Sequence, residues 1–188
     1  MRALTLLPVL AFTLFGATAM AAQPSPYAGQ ESRAIKALSD SEIDDLANGR
    51  GMGLAKAGEL NGYPGPIHVL DMGAELGLTQ DQRAALAAIK DRMSAAAKPL
   101  GSEIIARERT LDEQFATGRI TKPKLAALTS AIGTLQARLR AIHLAAHLET
   151  KEVLSAAQIA RYNALRGYGA GAAPDTPAHG HTMKGHGG

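Results

Sequence analysis

The sequence predicts an all-α protein organised around a long antiparallel helical hairpin with short flanking helices. Three observations carry that expectation. The chain is rich in Ala and Leu, holds no Cys and no Trp, and has few β-branched runs from which strands could be built. Apolar residues recur at spacings of three and four over two long stretches. Hydroxyl residues followed three positions later by Glu or Gln stand where helices would begin.

The first residues read as a leader. Arg2 is followed by an apolar run from Ala3 to Phe15 and then by small residues through Ala19-Met20-Ala21. That is the layout of a secretory signal peptide cut after Ala21. The run is shorter than the roughly 20 residues a bilayer crossing needs, so export without a remaining membrane anchor is expected. The formal charge of +3 is spread without blocks, which argues against nucleic acid as a partner. The absence of Cys excludes disulfides, thiolate chemistry and c-type haem attachment.

Residues 22–62 read as an N-terminal extension with short helices. Ser39-Asp-Ser-Glu42 is a capping box that opens a helix ending at Gly49. Tyr63-Pro64-Gly65-Pro66 is a tight turn, with Pro66 suited to a first helical position. The helix it starts carries His68 and Met72 and is expected to stop at Gly77. Thr79-Gln-Asp-Gln82 is a second capping box. Behind it Leu86, Ile89, Met93, Ala96, Leu100, Ile104, Leu111 and Phe115 mark one face of a helix of about 36 residues, roughly 54 Å long. Pro99 inside it predicts a bend, and Gly101 weakens the same place. Thr121 caps the second long helix. Its apolar residues Leu125, Leu128, Ile132, Leu135, Leu139, Ile142 and Ala146 repeat at 3-4-3-4-3-4, a coiled-coil-like seam. Ser155-x-x-Gln158 caps a last helix ending at Gly167. From 168 to 188 the chain is Gly, Ala, Pro and His, and disorder is expected there.

Two segments match each other. LTQDQRAALAAI (78–89) and LSAAQIARYNAL (154–165) share the pattern L-[TS]-x-x-Q-x-A, through Leu78, Thr79, Gln82 and Leu154, Ser155, Gln158. The pair resembles the LTxxQ motif that occurs twice in the Spy/CpxP family of periplasmic stress proteins. There each copy also opens a helix and a long hairpin separates them. The second copy carries Ser155 where the family has Thr, and either hydroxyl can cap. The resemblance covers about residues 63–167 and leaves 27–62 unplaced. It implies a cradle-like periplasmic homodimer. Spy-like members are ATP-independent chaperones that hold unfolding proteins. CpxP-like members restrain a sensor kinase through its periplasmic domain. ZraP- and CnrX-like relatives bind heavy metals.

The residues bear on each alternative. A client-holding surface combines apolar patches with solvated cations, and both long helices carry them, Arg107 and Arg109 among them. In LRAIHLAAHLE, Leu144 and Leu148 lie off the seam, which implies a second packing surface for a dimer partner or a client. His143 and His147, at i and i+4, flank the seam and could present two imidazoles to one ion. Metal-binding relatives draw further ligands from an early helix, so His68, and with less support Met72, join that set by resemblance. Such donors suit Zn, Ni, Co or Cu, and no cofactor is required by the chaperone reading. The tail adds His179, His181, Met183 and His186, a tract able to chelate the same ions weakly. An enzyme is not expected. No Ser-His-Asp grouping, phosphate loop or inward carboxylate pair stands out, and Leu144 occupies the position that a H-E-x-x-H protease would give to Glu.

Overall fold

The computed structural model describes residues 23–168, and the chain falls into two units, Met1–Ser32 and Arg33–Gly188. The described part of the first is a turn and a single 3-10 turn, Gln30–Ser32. The second holds α1 (Asp40–Ala47), α2 (Lys56–Glu59), α3 (Pro66–Asp71), α4 (Gln80–Ala116), α5 (Lys122–Val153) and α6 (Ala156–Leu165). Apart from one isolated bridge, Ile35 to Leu38, the described residues form no β-structure. The expected signal peptide and the His-rich tail lie outside the described residues.

The helix starts follow the local chemistry. Ser39, Thr79 and Ser155 are extended N-caps whose hydroxyls accept from the backbone N–H three residues on, while Glu42, Gln82 and Gln158 accept the N-cap N–H in return. Thr121 caps α5 with Pro123 in its first turn. Helix α4 is continuous for 37 residues with Pro99 inside it, and α5 for 32. The two pack along each other as the hairpin, joined by a short turn at 117–121.

The two LTxxQ copies meet at the open end of the hairpin. Gln82 Nε2 donates to Gln158 Oε1 at 2.9 Å, and Gln158 Nε2 donates back to Gln82 Oε1 at 3.0 Å. Each side chain also reaches the other motif's approach: Gln82 Nε2 donates to the Val153 carbonyl at 2.9 Å, and Gln158 Nε2 to that of Leu76 at 3.3 Å. Leu78 and Leu154 are buried beside this lock, in a cluster with Val69, Leu76, Leu86 and Tyr162.

A second cluster sits further along the hairpin, where residues 33–62 lie on it. Ile35 and Leu46 are buried against Ala97, Leu100, Ile104 and Ile105 of α4 and Leu135 and Leu139 of α5. From Arg33 onwards, the extension that the motif pattern leaves unplaced therefore contributes to the hairpin's core. Gly101 is the reason it fits. A Cβ there would collide with the Leu46 carbonyl, so the C-terminal turn of α1 rests on α4 only because the side chain is missing. Gly101 is a packing contact rather than a weak point.

Three details of the apolar pattern differ from the sequence reading. Ala97 is buried and Ala96 exposed, because the face of α4 turns towards α1. Phe115 is 55% exposed and Leu125 38%, since nothing covers the hairpin tip among the described residues. On α5 the buried stripe passes from Leu139 to His143 and Ala146, with Ile142 only half-buried. A straight helix at 3.6 residues per turn drifts away from a strict 3.5 repeat.

These packing and polar arrangements have measurable consequences for stability. Gly101→Ala lowers the free energy of unfolding in urea by about 2–3 kcal/mol, through overpacking against Leu46. Gly133→Ala, whose Cβ would meet nothing within 4 Å, raises it by about 0.5–1 kcal/mol. In a double-mutant cycle, Gln82→Ala and Gln158→Ala each cost about 2–3 kcal/mol, because each orphans partly buried partners, and show a coupling of about 1–2 kcal/mol.

Candidate functional site: a histidine-lined cleft

A cleft of about 500 Å³ lies between residues 50–68 and the base of the hairpin. Its walls are largely apolar, with Met52, Leu60, Ile67 and Met93 among them, and His68, His143 and His147 all line it. Histidines from two helices far apart in sequence thus line one space. His68 stands exposed on α3, and His143 and His147 come from one side of α5.

His143 departs from the sequence reading. It does not flank the seam but fills it, at 3% exposure, and its Nε2 is buried without a hydrogen-bond partner among the described residues. Hairpin periodicity could not show this, because the cover comes from Gly51 and its neighbours in the N-terminal extension. Burial, and secondarily the nearby His147, lower the His143 pKa below the usual imidazole range.

His147 is half-buried and oriented. Its Nδ1 lies 2.7 Å from the Tyr63 carbonyl, which only an N–H can satisfy, so Nδ1 carries a proton and Nε2 is the lone-pair nitrogen of the neutral ring. Gly65 leaves that ring edge open: a Cβ there would lie 2.9 Å from both Nε2 and Cε1. Tyr63 is held in turn by Lys151, whose ammonium sits 3.6 Å from the ring centroid.

The acidic member of the site is Glu59, at the end of α2, which the sequence reading does not single out. Its Oε2 accepts from Gly65 N–H at 3.2 Å and lies 3.7 Å from His147 Nδ1. Its Oε1 accepts from the hydroxyls of Tyr162 and Tyr168 and sits 3.5 Å from Arg166 Nε. Burial and the neighbouring carboxylate push the Tyr162 hydroxyl pKa strongly upwards, so it serves as a donor only. One carboxylate therefore ties α2, the turn before α3 and the end of α6 together. No local signal marks it, since its partners are 6 to 109 residues away.

The remaining candidates separate. Met72 is the C-cap of α3, its N–H donating to the His68 carbonyl at 3.1 Å. Its side chain packs against the Val69–Tyr162 cluster and is not among the residues lining the cleft. His179, His181, Met183 and His186 lie outside the described residues. Among those described, no three His, Cys, Asp or Glu side chains gather closely enough to hold a metal ion. Leu144 is half-buried and Leu148 is 54% exposed. Both line a smaller apolar hollow of about 320 Å³ with Ala57, Gly58 and Tyr63, so this chain's own α2 covers part of the second apolar side of α5. Arg107 and Arg109 are exposed on α4, the former 3.3 Å from Glu103.

Comparison with known proteins adds one match. The family model described as LTXXQ motif family protein matches residues 68–166, a span that holds both glutamine motifs and all three cleft histidines but not Glu59. No curated protein and no solved structure matches the chain.

The buried imidazole gives the fold a pH dependence of known sign. Unfolded, His143 takes up a proton near its ordinary value of about 6.5. Folded, it does so only at lower pH, so its contribution is intact above about pH 6.5 and is lost as pH falls towards the folded value. In thermal melts between about pH 7.5 and 5, Tm should fall less steeply for His143→Leu than for the parent chain.

Proposed function

The chain belongs to the LTXXQ motif family, the Spy/CpxP type of periplasmic protein, and we propose that it is exported and holds unfolding proteins on the uncovered faces of its hairpin without ATP. The family is non-enzymatic, and no helix among the described residues is long and apolar enough to cross a membrane. The observation that carries the proposal is the outer face of α5. From Leu125 to Ala137 the helix has no charged residue on any side, yet only Ile132 and Leu135 are buried there. A solvated helix ordinarily places charge on its free face. Here that face offers Leu125, small residues and hydroxyls, with Phe115 across the tip and Lys122 and Lys124 at the edge. Apolar contact with bordering cations suits loose retention of varied partly unfolded chains. The same face would serve a second copy in a homodimer, or the periplasmic domain of a sensor kinase.

A second reading, heavy-metal binding in the cleft, has its own support. The Tyr63 carbonyl fixes His147 with Nε2 as an electron-pair donor, the second-sphere arrangement found behind metal-ligating histidines. The orphaned His143 Nε2 and the edge that Gly65 leaves open fit the same use. Imidazole donors favour Zn, Ni, Co or Cu.

The two readings respond to different changes. Leu125→Asp with Leu148→Asp should weaken suppression of aggregation of a reduced, unfolding client about eightfold, because roughly 50 Å² of apolar surface no longer meets the client. Tm should stay within about 1 °C, since both side chains are exposed. Holding should survive EDTA and His147→Gln. If the double Asp variant holds client as well as the parent, the client surface is not on α5.

A further inference from the structure

The lining of the histidine cleft is more apolar than a solvated surface requires. Met52, Leu60 and Ile67 belong to it and are 41, 53 and 44% exposed. Buried Pro66 and Met93 continue the same apolar wall. Met52 stands between Gly51 and Gly53 with a φ of 45°, the one non-glycine in the left-handed region among the described residues. Such backbone is sparsely populated by residues with side chains and clusters at ligand-clamping loops. The volume of about 500 Å³ falls in the range of small-molecule sites, roughly 300–1,000 Å³.

The charges of the lining are largely matched within the protein. Arg50 pairs with Asp44 and Asp45, and Arg166 sits against Glu59. Both Glu59 oxygens already accept, from Gly65 N–H and from the hydroxyls of Tyr162 and Tyr168. Lys56 stands exposed. The polar capacity that remains is in the imidazoles. The Tyr63 carbonyl engages His147 Nδ1, so Nε2 of the neutral ring is an acceptor, and Gly65 leaves its edge uncovered. His143 lines the same space at 3% exposure, with Nε2 buried and unpartnered among the described residues. An apolar enclosure whose charges are matched disfavours an ionic guest, and a fixed lone pair favours a hydrogen-bond donor. The thioethers of Met52 and Met93 favour an aromatic ring as the body of that guest.

We propose that the cleft binds a small neutral phenol of one or two rings, held between Met52, Ile67 and Met93, with its hydroxyl donating to His147 Nε2. The phenol takes the nitrogen that a metal ion would use, so the two occupants exclude one another, and it needs no metal itself. It also touches residues 50–60, α3, α4 and α5 at once, and so fastens the N-terminal extension over His143.

The test uses 2-naphthol as the probe, followed by fluorescence anisotropy at pH 8 in EDTA. The chain has no Trp to interfere. The comparison ligands are 2-methoxynaphthalene, which lacks the donor, and 2-naphthoate, which carries a charge. The proteins are the chain from Ala22 onwards and its His147→Phe, Gly65→Ala and Leu125→Asp variants, each checked for native helicity by circular dichroism. Gly65 has a φ of −85°, so Ala strains no backbone there, while its methyl would press on the His147 ring edge. The expected result is one 2-naphthol per chain, with both comparison ligands binding about fivefold more weakly or worse. His147→Phe and Gly65→Ala should abolish the preference for the hydroxyl over the methyl ether, and Leu125→Asp should bind like the parent. Equal or tighter binding of either comparison ligand overturns the neutral phenol. A hydroxyl preference that survives His147→Phe overturns His147 as the acceptor; should that variant lose helicity, Gly65→Ala decides the same question. Loss of binding in Leu125→Asp places the probe on the outer face of α5 and overturns the cleft as its site. Absence of binding to the parent chain removes the inference and leaves client holding and metal binding untouched.

Discussion

The reciprocal amide pair of Gln82 and Gln158 is the constraint on which the rest of this molecule depends. Each glutamine does three things with one side chain. Its Oε1 caps its own helix, its Nε2 bonds the partner amide, and the same Nε2 reaches a carbonyl on the far side. A planar amide with two donors and one double acceptor is the only neutral side-chain group, shared by Asn and Gln, that can do so. Asn is one methylene shorter and would not span both the cap and the partner. The motif is therefore one contact written twice in the sequence, and its two copies are useful only together.

That contact sets the geometry of the base. It fixes the start of α4 beside the start of α6, buries Leu78 and Leu154, and places Tyr162 under α2. From there Glu59 gathers the ends of α2 and α6 and the turn before α3, which brings His68 to the cleft that His143 and His147 already line. Polar groups this buried hold a structure in one arrangement when every member is satisfied. His143 Nε2 is one of the two buried side-chain atoms left without a partner among the described residues, and it lies on the cleft rather than in the lock.

What the sequence made legible was mostly local. The caps at Ser39, Thr79, Thr121 and Ser155 appear where hydroxyls precede helical patterns, because an N-cap is decided within four residues. The hairpin was legible because its periodicity runs over many turns, and the paired LTxxQ copies marked where its sequence begins and where it finishes. Of the six histidines singled out, the three that lie within the described residues line one cleft, while Met72 does not join them. The features that stayed hidden depend on partners distant in sequence. Nothing near Glu59 announces two tyrosines and an arginine around it. Gly101 looks like a helix breaker until Leu46 is laid against it. His143 looks like an edge residue until the N-terminal extension covers it, and that extension has no motif of its own.

The two ends of the hairpin consequently differ in physical character, and this bears on how holding and metal binding could share one chain. At the base, burial and interlocked polar bonds leave little freedom. At the tip, from Arg107 through Leu125, few side chains are buried and the apolar ones that exist are exposed. A surface that accepts many partners gains from adaptability, whereas a ligand site gains from groups held in place beforehand. On the readings proposed above, the Leu125–Ala137 face and the histidine cleft would lie towards opposite ends of rods about 50 Å long. Coupling between them would have to pass along α5, the element that carries both the cleft histidines and the uncharged face. A change at His143 is the place where such coupling would enter, because that side chain is at once part of the cleft and part of the seam between α4 and α5.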